Sequence, residues 1–238
     1  EEQKQQALLN KEQAYSATQQ DDFKKISGSP IAYWVSDKLK NIFDKYPIFQ
    51  EFGNTLQGMT TCDNDYYLRM WHEVNQDKIN YGSISRSDAM ASNLTWFPYT
   101  KGGNNRKWYG NNEYIVNWEN DGAVLQSRKH PTLDKVWAHN FNLNEIFKEG
   151  ASYSSLSSSN FSCRYTPKGF LFDQKGSMIF TKNNYLKASM AFLNSSLTMK
   201  MLDCLCPTLD FNPGALLKLP VKNNVLDDEN IEYISTNA

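Results

Sequence analysis

Four cysteines and three histidines are the side chains of this 238-residue sequence best suited to holding a metal. Cys204-Leu205-Cys206 is the one close pair. A structural zinc site needs four ligands, commonly as two spaced pairs. Cys62 and Cys163 stand alone, and His72, His130 and His139 show no ligand spacing. The reading is free thiols, structural histidines and no metal. Asp21, Asp22 and Lys24 have the residue types of a metal-dependent nuclease, which needs clustered carboxylates and a lysine. No further carboxylate joins them, so they read as a solvated charge run. A methyltransferase acting on a flipped base would show an Asn/Asp-Pro-Pro-aromatic tetrad. The nearest stretch, Asn212-Pro213-Gly214-Ala215, lacks the second proline and the aromatic. Gly102-Gly103 is too short to cradle a phosphate and reads as a turn. The sequence therefore predicts no catalytic residue.

One segment could bind rather than react. Residues 96–112 interleave Lys101, Arg106 and Lys107 with four asparagines and five aromatics, without one acid. Cations neutralise phosphates, and amides add hydrogen bonds to phosphates and base edges. A net charge of −1, from 25 basic and 26 acidic residues, speaks against a free-standing DNA-binding domain. A DNA role must rest on local clusters or a basic neighbour.

The elements that would position this segment change character along the chain. Residues 1–20 favour helix but carry a thin apolar stripe. Ser29 suits a helix cap and Pro30 a first turn. Ile31, Trp34, Val35, Leu39, Ile42 and Phe43 follow at helical spacing, and Pro47 ends the run. From Phe52 to about Tyr185 short apolar runs alternate with turn residues. Strands are expected at 114–118, 169–172 and 177–180, the last two joined by a hairpin connection at 173–176. The serine-rich stretch 152–159 reads as a surface loop with some strand. Leu186, Met190, Leu193, Leu197 and Met201 predict one amphipathic helix ending before Pro207. The division expected is 1–50 as helical connector, 51–221 as the main domain and 222–238 as a polar exit. The chain starts at Glu1 and reads as a piece of a longer protein. No run of about 18 apolar residues and no leader are visible, so a cytoplasmic, non-membrane protein is expected. Hydrophobic residues at 40% suffice for a core.

Several blocks, in order, carry a resemblance. They are Gly28-Ser29-Pro30-Ile31-Ala32-Tyr33-Trp34, Gln57-Gly58-Met59-Thr60-Thr61-Cys62-Asp63-Asn64-Asp65-Tyr66-Tyr67-Leu68-Arg69, the segment 96–112 and Asn117-Trp118-Glu119-Asn120-Asp121-Gly122. Phe147-Lys148-Glu149-Gly150, residues 161–173, Phe192-Leu193-Asn194-Ser195 and residues 207–212 continue the series. Together, over roughly 23–221, they resemble the C-terminal target-recognising part of bacterial adenine-specific DNA methyltransferases of the PglX type. These act in BREX phage defence; type IIG restriction–modification enzymes are more distantly similar. That family usually has glycine where Cys62 sits. If the position needs a positive φ, cysteine is strained there.

The resemblance implies a mixed α/β (α+β) fold, with a twisted, largely antiparallel sheet and flanking helices. It implies a role in holding and reading double-stranded DNA. Methyl transfer, and S-adenosylmethionine with it, fall to a catalytic domain N-terminal in the same parent chain. Shared blocks cannot set a target that differs between members, so they hold the scaffold or touch phosphates. Lys101, Arg106, Lys107, Thr61, Asn64, Arg164 and Lys168 are the phosphate candidates on that ground. Base readers are sought in 76–95 and 123–146: Arg86, Asn93, Gln126, Arg128 and Lys129. The alternative is a protein-interaction module that meets other phage-defence proteins without reading DNA. A carbohydrate-binding domain is a third reading, suggested by six tryptophans, but it would want a secreted chain.

Overall fold

The structure is a computed structural model describing residues 2–9, 20–26, 34–139, 141–182, 184–206 and 208–226. It divides into two compact units, Glu1–Tyr46 and Pro47–Ala238.

The first unit holds helices α1 (Glu2–Leu9) and α2 (Asp37–Lys45) with a 3₁₀ turn at Gln20–Lys25. Ser36 caps α2, its hydroxyl accepting from the Leu39 amide. Trp34 and Val35 therefore precede the helix rather than begin its stripe. Ser29, Pro30 and Ile31 lie outside the described residues. Lys24 and Asp21 pair with each other at 2.6 Å on the exposed surface, as a solvated charge run would.

The second unit contains helices α3 (Asn64–Tyr67), α4 (Arg86–Ala91), α5 (Glu119–Ser127), α6 (Leu186–Leu193), α7 (Ser196–Leu205), α8 (Pro213–Leu217) and α9 (Asn223–Leu226). Its strands are β1 (Gly53–Leu56), β2 (Leu68–Met70), β3 (Trp96–Thr100), β4 (Tyr114–Asn117), β5 (Gly150–Ser154), β6 (Cys163–Thr166), β7 (Leu171–Phe172) and β8 (Gly176–Thr181). They form two four-stranded sheets, where the resemblance implied one. Sheet one runs β1-β8-β5-β6 and is antiparallel throughout. Sheet two runs β2-β4-β3-β7, with only β3 and β7 parallel. The fold class is mixed α/β as expected.

The main core lies between the sheets. Met178 from sheet one joins Phe97, Tyr99, Val116, Leu171 and Phe172 from sheet two, with Leu56 and Phe180 at its edge. Burying each such side chain contributes about 1.5–3 kcal/mol. Residues alternate across a strand, so the other face of sheet one meets the C-terminal helices. There Thr55 donates to the Pro213 carbonyl at 2.9 Å, and the side chain of Asn194 brackets the Cys163 peptide.

Two local expectations give way and a third holds. In the serine-rich stretch, residues 152–154 close the buried strand β5, where small side chains suit a sheet covered on both faces, and 156–160 form a mostly exposed loop, as expected. The tetrad 173–176 is no hairpin: it carries the chain from β7 in sheet two to β8 in sheet one. Its amides bond outward, Asp173 to the Thr100 carbonyl at 2.9 Å and Gln174 to that of Met59 at 3.0 Å. A Cβ on Gly176 would stand 2.5 Å from the Thr100 oxygen, so only glycine fits this crossing. The predicted helix from Tyr185 is two helices. Ser195 caps α7 by accepting from the Thr198 amide at 3.1 Å, and Asn194 is held by Cys163, so the helical ladder breaks between them. Leu197 is left 45% exposed.

Candidate nucleic-acid interface

The segment singled out for its cations begins where β3 ends. Residues 101–113 leave sheet two, reach the free edge of β6 in sheet one, and return to β4. The Trp108 amide donates to the Cys163 carbonyl at 3.1 Å, and the Tyr165 amide to that of Trp108 at 2.7 Å. This route needs left-handed backbone at Gly102, Gly103, Trp108, Gly110 and Asn111. The strand edge is thereby covered.

The cations of the segment have different fates. Lys101 pairs with Asp173 at 3.4 Å, and the buried Tyr99 hydroxyl donates to the same carboxylate at 2.7 Å. Burial and that carboxylate push the Tyr99 hydroxyl well above the usual phenol range. Lys107 reaches inward, its ammonium donating to the Asn194 carbonyl at 2.7 Å at the end of α6. A cation at a helix C-terminus is stabilising. Arg106 remains exposed and lies along Gly110, where a Cβ would come within 3.0 Å of its chain. Lys168 is exposed too, beside the left-handed Gly169.

Arg164 corrects its expectation outright. It is 1% exposed, in β6 opposite Ser152, so it cannot touch a phosphate on the surface of this fold. One nitrogen donates to Ser154 Oγ at 3.1 Å, and Ser154 in turn donates to the Gly103 carbonyl. Nε and Nη1 find no partner among the described residues. Burial lowers its pKa to about 10. Thr61 is likewise buried, its hydroxyl donating to Asn64 Oδ1 at 2.7 Å. It organises the start of α3 and is not placed for direct phosphate contact. Asn64 is exposed and borders a cleft of about 490 Å³ that Lys101 and Arg69 also line, together with Asp65 and Glu73.

Cys62 has φ 59°, in the left-handed region that favours glycine. The strain foreseen from the glycine of the family is present here. The turn it makes lets Thr60 and His139 exchange both backbone hydrogen bonds, at 2.9 and 3.2 Å. Burial raises the Cys62 thiol pKa.

Two expected base readers converge on one residue, Arg86 on the carboxylate of Asp121 and Gln126 on its backbone carbonyl. Arg86 grips Asp121 through Nε at 3.0 Å and through Nη2. The Asp121 hydrogen bond raises the Arg86 pKa. Gln126 donates to the Asp121 carbonyl at 2.5 Å, and Trp118 Nε1 to its carboxylate at 3.3 Å. Asn120, Asp121 and Gly122 are all left-handed, so α5 opens on a reversed turn. A Cβ on Gly122 would lie 2.6 Å from the Trp118 ring. The block Asn117–Gly122 is thus a brace that holds α4 by Arg86. Asn93 is exposed and left-handed just beyond α4.

Arg128 and Lys129 begin an antiparallel hairpin over 128–137. The Trp137 amide donates to the Arg128 carbonyl at 3.0 Å and the His130 amide to that of Lys135 at 2.9 Å, while Lys129 faces Val136. In its turn the amides of Thr132 and Leu133 both donate to His130 Nδ1, at 3.1 and 3.2 Å. Arg128 pairs with Asp63 at 2.9 Å and stacks on Tyr66 at 4.7 Å, Trp137 at 5.5 Å and Tyr67 at 5.7 Å. The Tyr67 hydroxyl first, and Asp63 after it, raise its pKa. Lys129 pairs with Asp134 at 2.9 Å in open solvent. Sequence reasoning missed the three carboxylates that fix this surface: Asp63, Asp121 and Asp173. The available signal was their place inside blocks otherwise rich in amides and aromatics.

No catalytic constellation is assembled among these residues. Asn212 caps α8, its side chain accepting from the Ala215 amide at 2.9 Å, which occupies the oxygen a base-clamping asparagine would need. Among the described residues no group of three or more His, Cys, Asp or Glu could hold a metal, and no helix is long and apolar enough to cross a membrane.

No protein-family model matches the chain. It is 42% identical over 207 residues to the adenine-specific methyltransferase PglX of Lacticaseibacillus casei (strain Zhang), which is 86% of this chain and 17% of the relative. It is 42% identical over 234 residues to the adenine-specific methyltransferase BrxX of Escherichia coli O9:H4 (strain HS), which is 96% of this chain and 18% of the relative. The chain spans under a fifth of the length of these relatives. Over nearly its whole length it is similar to a segment of the PglX and BrxX adenine-specific methyltransferases, the family that its sequence blocks resemble.

Proposed function

We propose that this chain is the DNA target-recognition part of an adenine-specific DNA methyltransferase of the PglX and BrxX kind. It holds the duplex and selects the site, while S-adenosylmethionine and methyl transfer belong to the rest of a longer, cytoplasmic parent protein. The observation that carries the reading is a division of labour among the polar residues. Inside the blocks that resemble the family, Lys101 is tied to Asp173, Lys107 to Asn194, Thr61 to Asn64 and Arg164 to Ser154, while Arg106 and Lys168 of the same blocks stay exposed without such a tie. Lys129, outside them, is exposed too. A rigid frame with cations at its periphery suits backbone grip and base reading by separate residues.

Arg106 and Lys168 are the phosphate contacts in this scheme, with Asn64 beside them. Titration of a short duplex into the chain at increasing salt tests it. Affinity should fall linearly in log–log form, and Arg106→Ala should reduce the slope by about 1 without changing sequence preference. Binding without salt dependence, or no binding, counts against the reading. A second reading has one observation in its favour: Met70 and Trp71, at the end of edge strand β2, are 39% and 46% exposed. A partner-protein surface there would explain apolar exposure on a chain of net charge −1.

A further inference from the structure

The hairpin 128–137 has two unlike faces. Side chains alternate across a ribbon, and cross-strand partners share a face. Arg128 with Trp137, and His130 with Lys135, make one face. It is turned to the body of the protein: Arg128 is held by Asp63 and three aromatic rings, and His130 packs edge-on against Trp137 at 5.4 Å. Lys129 and Val136 make the other face, continued by Asp134 through its pair with Lys129, and Leu133 stands exposed in the turn. Val136 is 38% and Leu133 50% exposed, and the Asp134 side chain is 97% exposed. Nothing but a solvated ion pair joins Lys129 to Asp134. Exposed pairs of this kind contribute little and exchange readily for other partners.

We propose that this outward face is the base-reading element, entering the major groove of duplex DNA as a two-stranded ribbon, with Lys129, Leu133, Asp134 and Val136 touching base edges. The inference rests on the DNA-recognition reading above and deepens it. The dimensions agree. Three paired residues on each arm rise about 10 Å, and the major groove is about 8.5 Å deep and about 12 Å wide, enough for a two-stranded ribbon. The root is stiff, fixed by Arg128 and by the paired backbones of Thr60 and His139. The two turn bonds to His130 Nδ1 hold the tip.

The chemistry also selects. In the major groove a G·C pair offers guanine O6 and N7 as acceptors beside the cytosine amino donor. A lysine ammonium 2.9 Å from a carboxylate presents the matching donor and acceptor side by side. The apolar pair Leu133 and Val136 suits a thymine methyl. The hairpin therefore selects a G·C pair flanked by a thymine. It leaves Arg128, taken from sequence as a reader, to hold the root.

Selection of the whole chain against randomised duplexes tests this. The unaltered chain should enrich a G·C pair next to a thymine. Lys129→Ala and Asp134→Ala should each lose about tenfold or more of the preference at that pair, and Leu133→Ala the preference for thymine. Lys129→Gln should shift the preference toward adenine, a gain that misfolding cannot imitate. Variants that enrich the same sequence as the unaltered chain, to the same degree, would overturn the hairpin as reader while the DNA-recognition reading stands. An unaltered chain that binds duplex but enriches nothing overturns the reader as well. One that binds no duplex overturns both.

Discussion

Arg106, Arg128 and Arg164 carry the same guanidinium into three environments, and environment decides what each can do. Arg106 faces solvent and is available to a phosphate. Arg128 is stacked and paired, at 35% side-chain exposure, and its energy goes into the surface it holds together. Arg164 is buried with one hydrogen bond and two nitrogens unpartnered among the described residues, so its charge is paid for by the rest of the core. Leaving such donors unsatisfied costs about 1–3 kcal/mol. Arg164→Met should therefore leave stability unchanged or raise it by about 1 kcal/mol or more. Urea unfolding checks this; a loss of more than about 2 kcal/mol would mean that the guanidinium is structurally indispensable. At this scale the sequence was a partial guide. Residue type identified Arg106 and Lys129 as available cations, and the family glycine anticipated the left-handed Cys62. Nothing local in Cys163-Arg164-Tyr165 distinguishes a buried arginine from an exposed one. Its burial follows from the loop 101–113, which folds over the β6 edge from more than fifty positions away.

The element that most shapes the surface is the reversed turn opening α5. Left-handed residues cost about 1–2 kcal/mol each unless they are glycine, or Asn and Asp with local hydrogen bonds. Asn120, Asp121 and Gly122 are those types. The strain is offset by the bidentate grip of Arg86 and by Trp118 folding over Gly122. Gly122→Ala adds a methyl where the ring already stands at 2.6 Å and φ is 70°. It should destabilise the chain by about 2–4 kcal/mol. A thermal midpoint within a degree of the unaltered chain would contradict that account of the brace. Strand 114–117 and the C-terminal helical region were legible because their periodicities are strong. The broken helix at Asn194 and Ser195 and the crossing at 173–176 were not. Each is decided by partners on another element, Cys163 for the first and Thr100 with Met59 for the second. The serine-rich stretch was legible as loop with some strand, and what composition does not give is the burial of its first three residues between two strands and two packed layers.

At the scale of the whole molecule, two sheets enclose a core and the shared blocks meet inside it. Segment 96–112 touches 161–173 at Trp108 and Cys163, and Asn194 closes the same node from α6. The block 57–69 meets the hairpin at Asp63 with Arg128, and the residues just after the hairpin at Thr60 with His139. Residues of the blocks that resemble the family build a frame, and the outward side chains of 123–146 are left free of it. The proposed reading is that a target can change there without a change of fold. Its most direct test is a swap of residues 123–146 from this chain into the adenine-specific methyltransferase PglX of Lacticaseibacillus casei, followed by mapping of methylated adenines across a genome. The chimera should methylate a site different from that of its parent. Methylation at the unchanged parental site would contradict it.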